Sequence, residues 1–304
     1  MLCAAWILAG ADIVLPQTIT TAVGNGAPDS GRFRGSTSLV LPGAVHVDTL
    51  DLYIADTGNH RILHIDDTTG TPAVIAGTGV AGFSGNDAAA SQAQLNAPSG
   101  VFVAPSGNIF IADSGNHRIR RIADGTITTI AGTGEAGFSG DDGSPTEAQL
   151  SAPTHLFVTN NEDSIFVADT GNHRRRVIAG GRITTVVGSG IGEFSGDNSL
   201  AVSAQLNGPP GVFSDSTSGR LYIADTNNHR IRYISSGDTS RTLAGTGLPN
   251  FSGDGGSPEG AGLAFPRGIS ADPRGNLYVA DTFNQRVSVD ENDAAIFLKA
   301  FHGT

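Results

Sequence analysis

Apolar and polar positions along this chain fall into short runs that alternate with turn-forming residues. The stretch 100–131 shows the pattern most clearly. Gly100-Val101-Phe102-Val103-Ala104 is apolar and predicts a buried strand. Pro105-Ser106-Gly107-Asn108 predicts a turn. Ile109-Phe110-Ile111-Ala112-Asp113 predicts a second strand, and Ser114-Gly115-Asn116 turns the chain again. His117 to Ile122 alternates polar with apolar residues, as a half-exposed strand does. Asp124-Gly125 is a hairpin signal, and the β-branched run Thr126 to Ala131 follows it as a fourth strand. Four short antiparallel strands, the first most apolar and the later ones more polar, describe a propeller blade.

The unit recurs. Ile54-Ala55-Asp56-Thr57-Gly58-Asn59-His60-Arg61 returns around Asp113, Asp169 and Asp225, and more loosely around Asp281, at steps of 57, 56, 56 and 56 residues. Such a period means an array of one supersecondary unit. Between the units runs a second repeated segment, centred on Phe83-Ser84-Gly85-Asn86, Phe138-Ser139-Gly140-Asp141, Phe194-Ser195-Gly196-Asp197 and Phe251-Ser252-Gly253-Asp254. The expected fold class is therefore all-β, a β-propeller of four-stranded antiparallel blades. One domain is expected over 1–304, with a partial blade over 1–42 and repeats at about 43–98, 99–153, 154–209, 210–266 and 267–304. Ile19 to Gly24 matches a fourth strand, Ala5 to Leu8 a third before it, and Ala295 to Lys299 falls where the fifth blade's fourth strand is due.

Composition narrows the function. Forty-two glycines and 6% aromatics suit many tight turns, and 15% charged residues exclude a disordered or coiled-coil chain. The net charge of -11, with Lys299 the only lysine, disfavours nucleic acid as a partner. Cys3 is the only cysteine, so no intrachain disulfide and no cysteine-based metal site can form. No apolar stretch approaches the length of a membrane-spanning helix. Met1 to Ala11 has the look of a signal remnant but lacks a positive n-region.

The repeated motifs resemble the NHL repeat. The resemblance rests on Gly-Asn-x-Tyr/Phe-Ile/Val-Ala-Asp-Thr-x-Asn-His-Arg-Ile and on the Ala-Gly-Thr-Gly-x-x-Gly-Phe-Ser-Gly-Asp insert, and it covers nearly the whole chain. It implies a β-propeller, usually six-bladed, with five blades as the alternative if the N-terminal strand joins the fifth blade. On function it implies little, since the family includes interaction domains, extracellular sensors, RNA-binding domains and a few lyases.

Repetition governs how the candidate residues are read. A catalytic residue is needed once per site, whereas Asp56, Asp113, Asp169, Asp225 and Asp281 occur once per blade. Each is expected to accept backbone N–H groups of the turn that follows it. Each is also expected to pair across the hairpin with Arg61, Arg118, Arg174, Arg230 or Arg286. His60, His117, His173 and His229 hold equivalent positions, broken by Gln285, and rotation about the axis sets them too far apart to share one metal. Asp141-Asp142-Gly143 is the loop most suggestive of calcium, but it lacks alternating acidic ligands and a closing Glu. No nucleophile elbow, zinc-helix motif or phosphate loop is present. His155, where other blades carry Gly100 or Gly211, and His46 are unique histidines near the axis. Asn250-Phe251-Ser252 is a candidate glycosylation sequon at Asn250.

The reading favoured is a noncatalytic protein-binding or scaffold module, with an extracellular or secreted setting expected and a cytoplasmic one left open. It calls for no cofactor, no metal and no catalytic residue. Partners would be proteins, or further copies of the chain, meeting the loop face or an open blade edge. Two alternatives stand beside it. One is a structural subunit of a fibril or other homopolymer, in which a neighbouring chain completes the partial blade. The other is a channel-based lyase or lactonase-like enzyme.

Overall fold

The computed structural model describes residues 38–48, 51–215, 219–235, 237–272 and 275–290. They build a five-blade propeller of antiparallel sheets, with no α-helix among them. The expected strands at 5–8, 19–24 and 295–299, the apolar stretch 1–11 and Cys3 lie outside the described residues.

Blade 2 shows how a repeat folds. Its strands are Gly100–Val103, Ile109–Asp113, Arg118–Ala123 and Thr126–Ala131, paired in that order from the axis outward. A two-residue strand, Ala88–Ala89, pairs with the outer edge, because the loop from blade 1 folds down over blade 2 before its inner strand begins. Blade 4 is covered in the same way by Ser199–Leu200. Both additions shield a strand edge. Blade 5 is described through three strands, Pro266–Ala271, Leu277–Asp281 and Arg286–Asp290.

The core lies between blades. Alternation sends every second side chain of a strand to one sheet face. In blade 2, Ala112, Ile119 and Ala131 lie opposite one another on adjacent strands and face blade 3. There they pack with Leu150, Leu156, Val158 and Ile183, all buried. Close approach at the axis requires glycine. A Cβ on Gly100 would sit 2.8 Å from the Thr154 carbonyl oxygen. The following residues line the axis with rings: His46 lies 4.6 Å from Phe102, and Phe102 lies 5.6 Å from Phe157.

Candidate functional site

The Asp-Thr-Gly-Asn-His turns occupy the face where the chain passes from blade to blade. After each Asp a single 3-10 turn forms, such as Ser114–Asn116, and in four blades it ends on a histidine in the left-handed region, with φ of 54° at His117; in blade 5 Gln285 takes that place. That conformation aims the ring at the next blade. Ala97 donates its backbone N–H to His60 Nδ1 (2.9 Å), Ala152 to His117 (3.0 Å), Gly208 to His173 (3.0 Å) and Phe265 to His229 (3.2 Å). The turn hydroxyl adds a second link. Thr57 Oγ1 donates to the Pro98 carbonyl, and Thr226 Oγ1 to that of Pro266. The four histidines are thus clasps between blades, each engaged with a different neighbour.

The aspartates serve the same junction from the other side. Each is fully buried. Asp113 accepts the Asn96 backbone N–H (2.8 Å) and the Asn116 side-chain amide (2.9 Å). Asp169 does so with Ser151 and Asn172, and Asp225 with Asn207 and Asn228. The carboxylate thus takes a backbone N–H from the lead-in to the same blade, and the following turn supplies a side-chain amide in place of the expected backbone N–H groups. Burial pushes Asp169 and Asp225 up to about 6, against the pull of these hydrogen bonds.

Among the described residues the expected arginine pair is found in blade 1 alone, where Arg61 Nε meets Asp56 at 2.8 Å. In blades 2 and 4 the cation on the aspartate stands two residues further on. Arg120 reaches Asp113 (3.4 Å) and Arg232 reaches Asp225 (3.5 Å), with Arg176 at 3.9 Å from Asp169. Arg118, Arg174 and Arg230 lie directly across the strand pair from Asp113, Asp169 and Asp225. Their guanidinium groups instead stack over Phe83, Phe138 and Phe194, 3.6 to 3.8 Å from the ring centroids. Arg286 stacks over Phe251 in the same way. The phenylalanine of each Phe-Ser-Gly-Asp loop thereby anchors that loop. Asp141, the calcium candidate, is taken by the buried Arg176 at 2.7 Å, and Asp197 by Arg232 at 2.8 Å. Among the described residues no three His, Cys, Asp or Glu side chains gather as a metal site.

Two further places stand out. On the loop face, blade 5 has Phe283 where three other turns have glycine, and its ring is 64% exposed. It lies 4.6 Å from Phe265, which stands edge-on to His229 at 4.4 Å. Leu248, 64% exposed, projects from the loop that carries Asn250. Asn284 fixes this loop by donating to the Asn250 carbonyl (3.0 Å). At the axis, burial together with the Arg175 and His46 charges lowers His155 to about 4. Arg175, which sequence reasoning passed over, is fully buried beside it. The signal for it was present: blades 1, 2 and 4 place Ile62, Ile119 and Ile231 at its position.

The family model of the Teneurin NHL domain matches residues 32–123, and that of the NHL repeat matches 206–232 and 263–289. Teneurin-1 of Mus musculus is 32% identical over 282 residues, covering 80% of this chain and 10% of its own length. NHL repeat-containing protein 2 of Homo sapiens is 27% identical over 299 residues, covering 87% of this chain and 41% of its own. The chain thus spans less than half of either relative. Among solved structures, virginiamycin B lyase from Staphylococcus aureus superposes with a TM-score of 0.54 at 15% identity, over 86% of this chain and 70% of the other. That likeness concerns the fold. No helix among the described residues is long and apolar enough to cross a membrane.

Proposed function

This chain belongs to the NHL-repeat family of β-propellers, and from that premise we propose that it is a noncatalytic protein-binding module whose partner docks on the loop face. The observation that carries the reading is Phe283. Phe283 stands largely in solvent, backed by Phe265, which in turn packs on His229. An aromatic anchor held in place by its neighbours is what interface hot spots are made of. The acidic chain favours a protein partner over nucleic acid. An extracellular setting fits the sequon at Asn250 on the same face. The test compares proteins captured by the intact chain with those captured by Phe283→Gly, the residue other turns carry. Loss of the captured set with an unchanged unfolding midpoint supports the reading. The same set on both proteins, or turnover of a small substrate by either, counts against it.

Self-association is a second reading, favoured by the inner strand of blade 1. Val45 and Val47 are 53% and 36% exposed there, whereas Val101 and Val103 at the same places in blade 2 are buried, Val101 against blade 1. Sedimentation across a range of concentrations tests it. A chain that stays monomeric throughout removes the homopolymer.

A further inference from the structure

Blade 3 departs from its neighbours in one row of side chains. Residues directly opposed on adjacent strands share a sheet face. The row facing the following blade reads Gly100, Ala112, Ile119 in blade 2. In blade 4 it reads Gly211, Ala224, Ile231. In blade 3 it reads His155, Ala168, Arg175. An imidazole and a guanidinium therefore replace a glycine and an isoleucine, with only the alanine methyl between them.

Both groups point into the seam between blades 3 and 4. Arg175 donates from Nη2 to the Gly211 carbonyl of blade 4. Its Nε and Nη1 are buried without a hydrogen-bond partner, as is His155 Nδ1. No ion pair to Arg175 is found among the described residues. The acid whose charge reaches it, Asp225, already accepts from Asn207, Asn228 and Arg232. Burial lowers Arg175 to about 9, which still leaves it protonated at neutral pH. A guanidinium taken out of water without a counter-charge is costly. Water in the seam would satisfy the nitrogens but leave the charge, whereas an anion does both.

We propose that the seam between blades 3 and 4 holds one small monovalent anion of the halide class, bound between the Arg175 guanidinium and the His155 Nδ1–H. At neutral pH His155 is uncharged, so it can serve as a neutral donor. His155 is half-buried as a residue, while its Nδ1 is fully buried. In blades 2 and 4 the glycine and isoleucine offer no donor, and blades 1 and 5 carry Ile62 and Val287 at the Arg175 position, so the site is expected once per propeller. Its role is to let blade 3 and blade 4 close over a charge.

The test follows thermal and urea unfolding of the full chain at pH 7 and constant ionic strength, with sodium chloride exchanged stepwise for sodium gluconate. Above the dissociation constant, each tenfold rise in chloride should raise the folding constant about tenfold. Arg175→Ile and His155→Gly, which restore the residues of other blades, should flatten that response. A crystal soaked in bromide should show an anomalous peak between the two side chains. Equal stability of the natural chain in both salts overturns the proposal, and this needs no variant to fold. So does an undiminished chloride response in Arg175→Ile. A bromide peak without any chloride effect on stability marks an adventitious ion only and overturns it too.

Discussion

His60 of blade 1 and Ala97, in the lead-in to blade 2, are joined by one hydrogen bond, 2.9 Å from the Ala97 nitrogen to His60 Nδ1. The preceding residue, Asn96, gives its N–H to Asp113 of its own blade at 2.8 Å. Two consecutive amides thus tie the lead-in strand to both blades at once. The junction repeats with His117, Ala152, Ser151 and Asp169.

The first prediction separates the clasp from its backbone. His117→Ala loses the bond to Ala152 and should cost about 1 kcal/mol. His117→Gly loses the same bond but relieves the left-handed φ of 54°, and should recover about 1 kcal/mol of that cost. Urea denaturation of the two variants checks the order. Hydrogen exchange at the Ala152 amide should quicken in both.

The second prediction concerns which arginine serves the aspartate. Asp113→Asn strands the fully buried Arg120 and should destabilise by about 3 kcal/mol or more. Arg118→Lys keeps Asp113 and Arg120 paired and should cost no more than about 1 kcal/mol. Comparable losses in the two variants would restore the expected Arg118 pairing.

The blades were legible because their causes are local. The Asp–turn–Arg spacing, the Asp124-Gly125 hairpin and the alternating third strand each act within a few residues. The clasp was not, because its acceptor is a histidine and its donor a backbone amide 37 residues away, which leaves no mark in sequence. Arg174, Arg175 and Arg176 make the same point within one strand. The first stacks on Phe138, the second enters the seam to blade 4, and the third binds Asp141. The pairing with the outer strand shifts register between Arg175 and Arg176, as it does at the same place in blades 1, 2 and 4. Only a comparison down the repeats, isoleucine in three blades and arginine in one, singles out Arg175.

The third prediction tests the loop anchor. Phe138→Leu removes the ring under Arg174, 3.6 Å from its guanidinium carbon, and should cost about 0.5–1 kcal/mol. Because Arg176 still holds Asp141, exchange should quicken around Phe138 while the blade 3 strands keep their protection.

The last prediction is the pH dependence of the blade 3 seam in halide-free buffer. His155 has a native pKa of about 4 against 6.5 when unfolded, lowered first by burial and then by the Arg175 and His46 charges. Between those values the native protein binds fewer protons than the unfolded chain, so stability rises with pH. The contribution is complete above 6.5 and is lost as pH falls towards 4. It amounts to at most about 3 kcal/mol, and less because the residue as a whole is only half-buried. Asp169 and Asp225, raised to about 6, titrate nearby with the opposite sign. Both remain in His155→Gly, so the difference between the two proteins isolates the histidine. The natural chain should lose stability relative to the variant from pH 6.5 downward, as read by urea unfolding at each pH. Parallel profiles would mean that His155 titrates as it does in water.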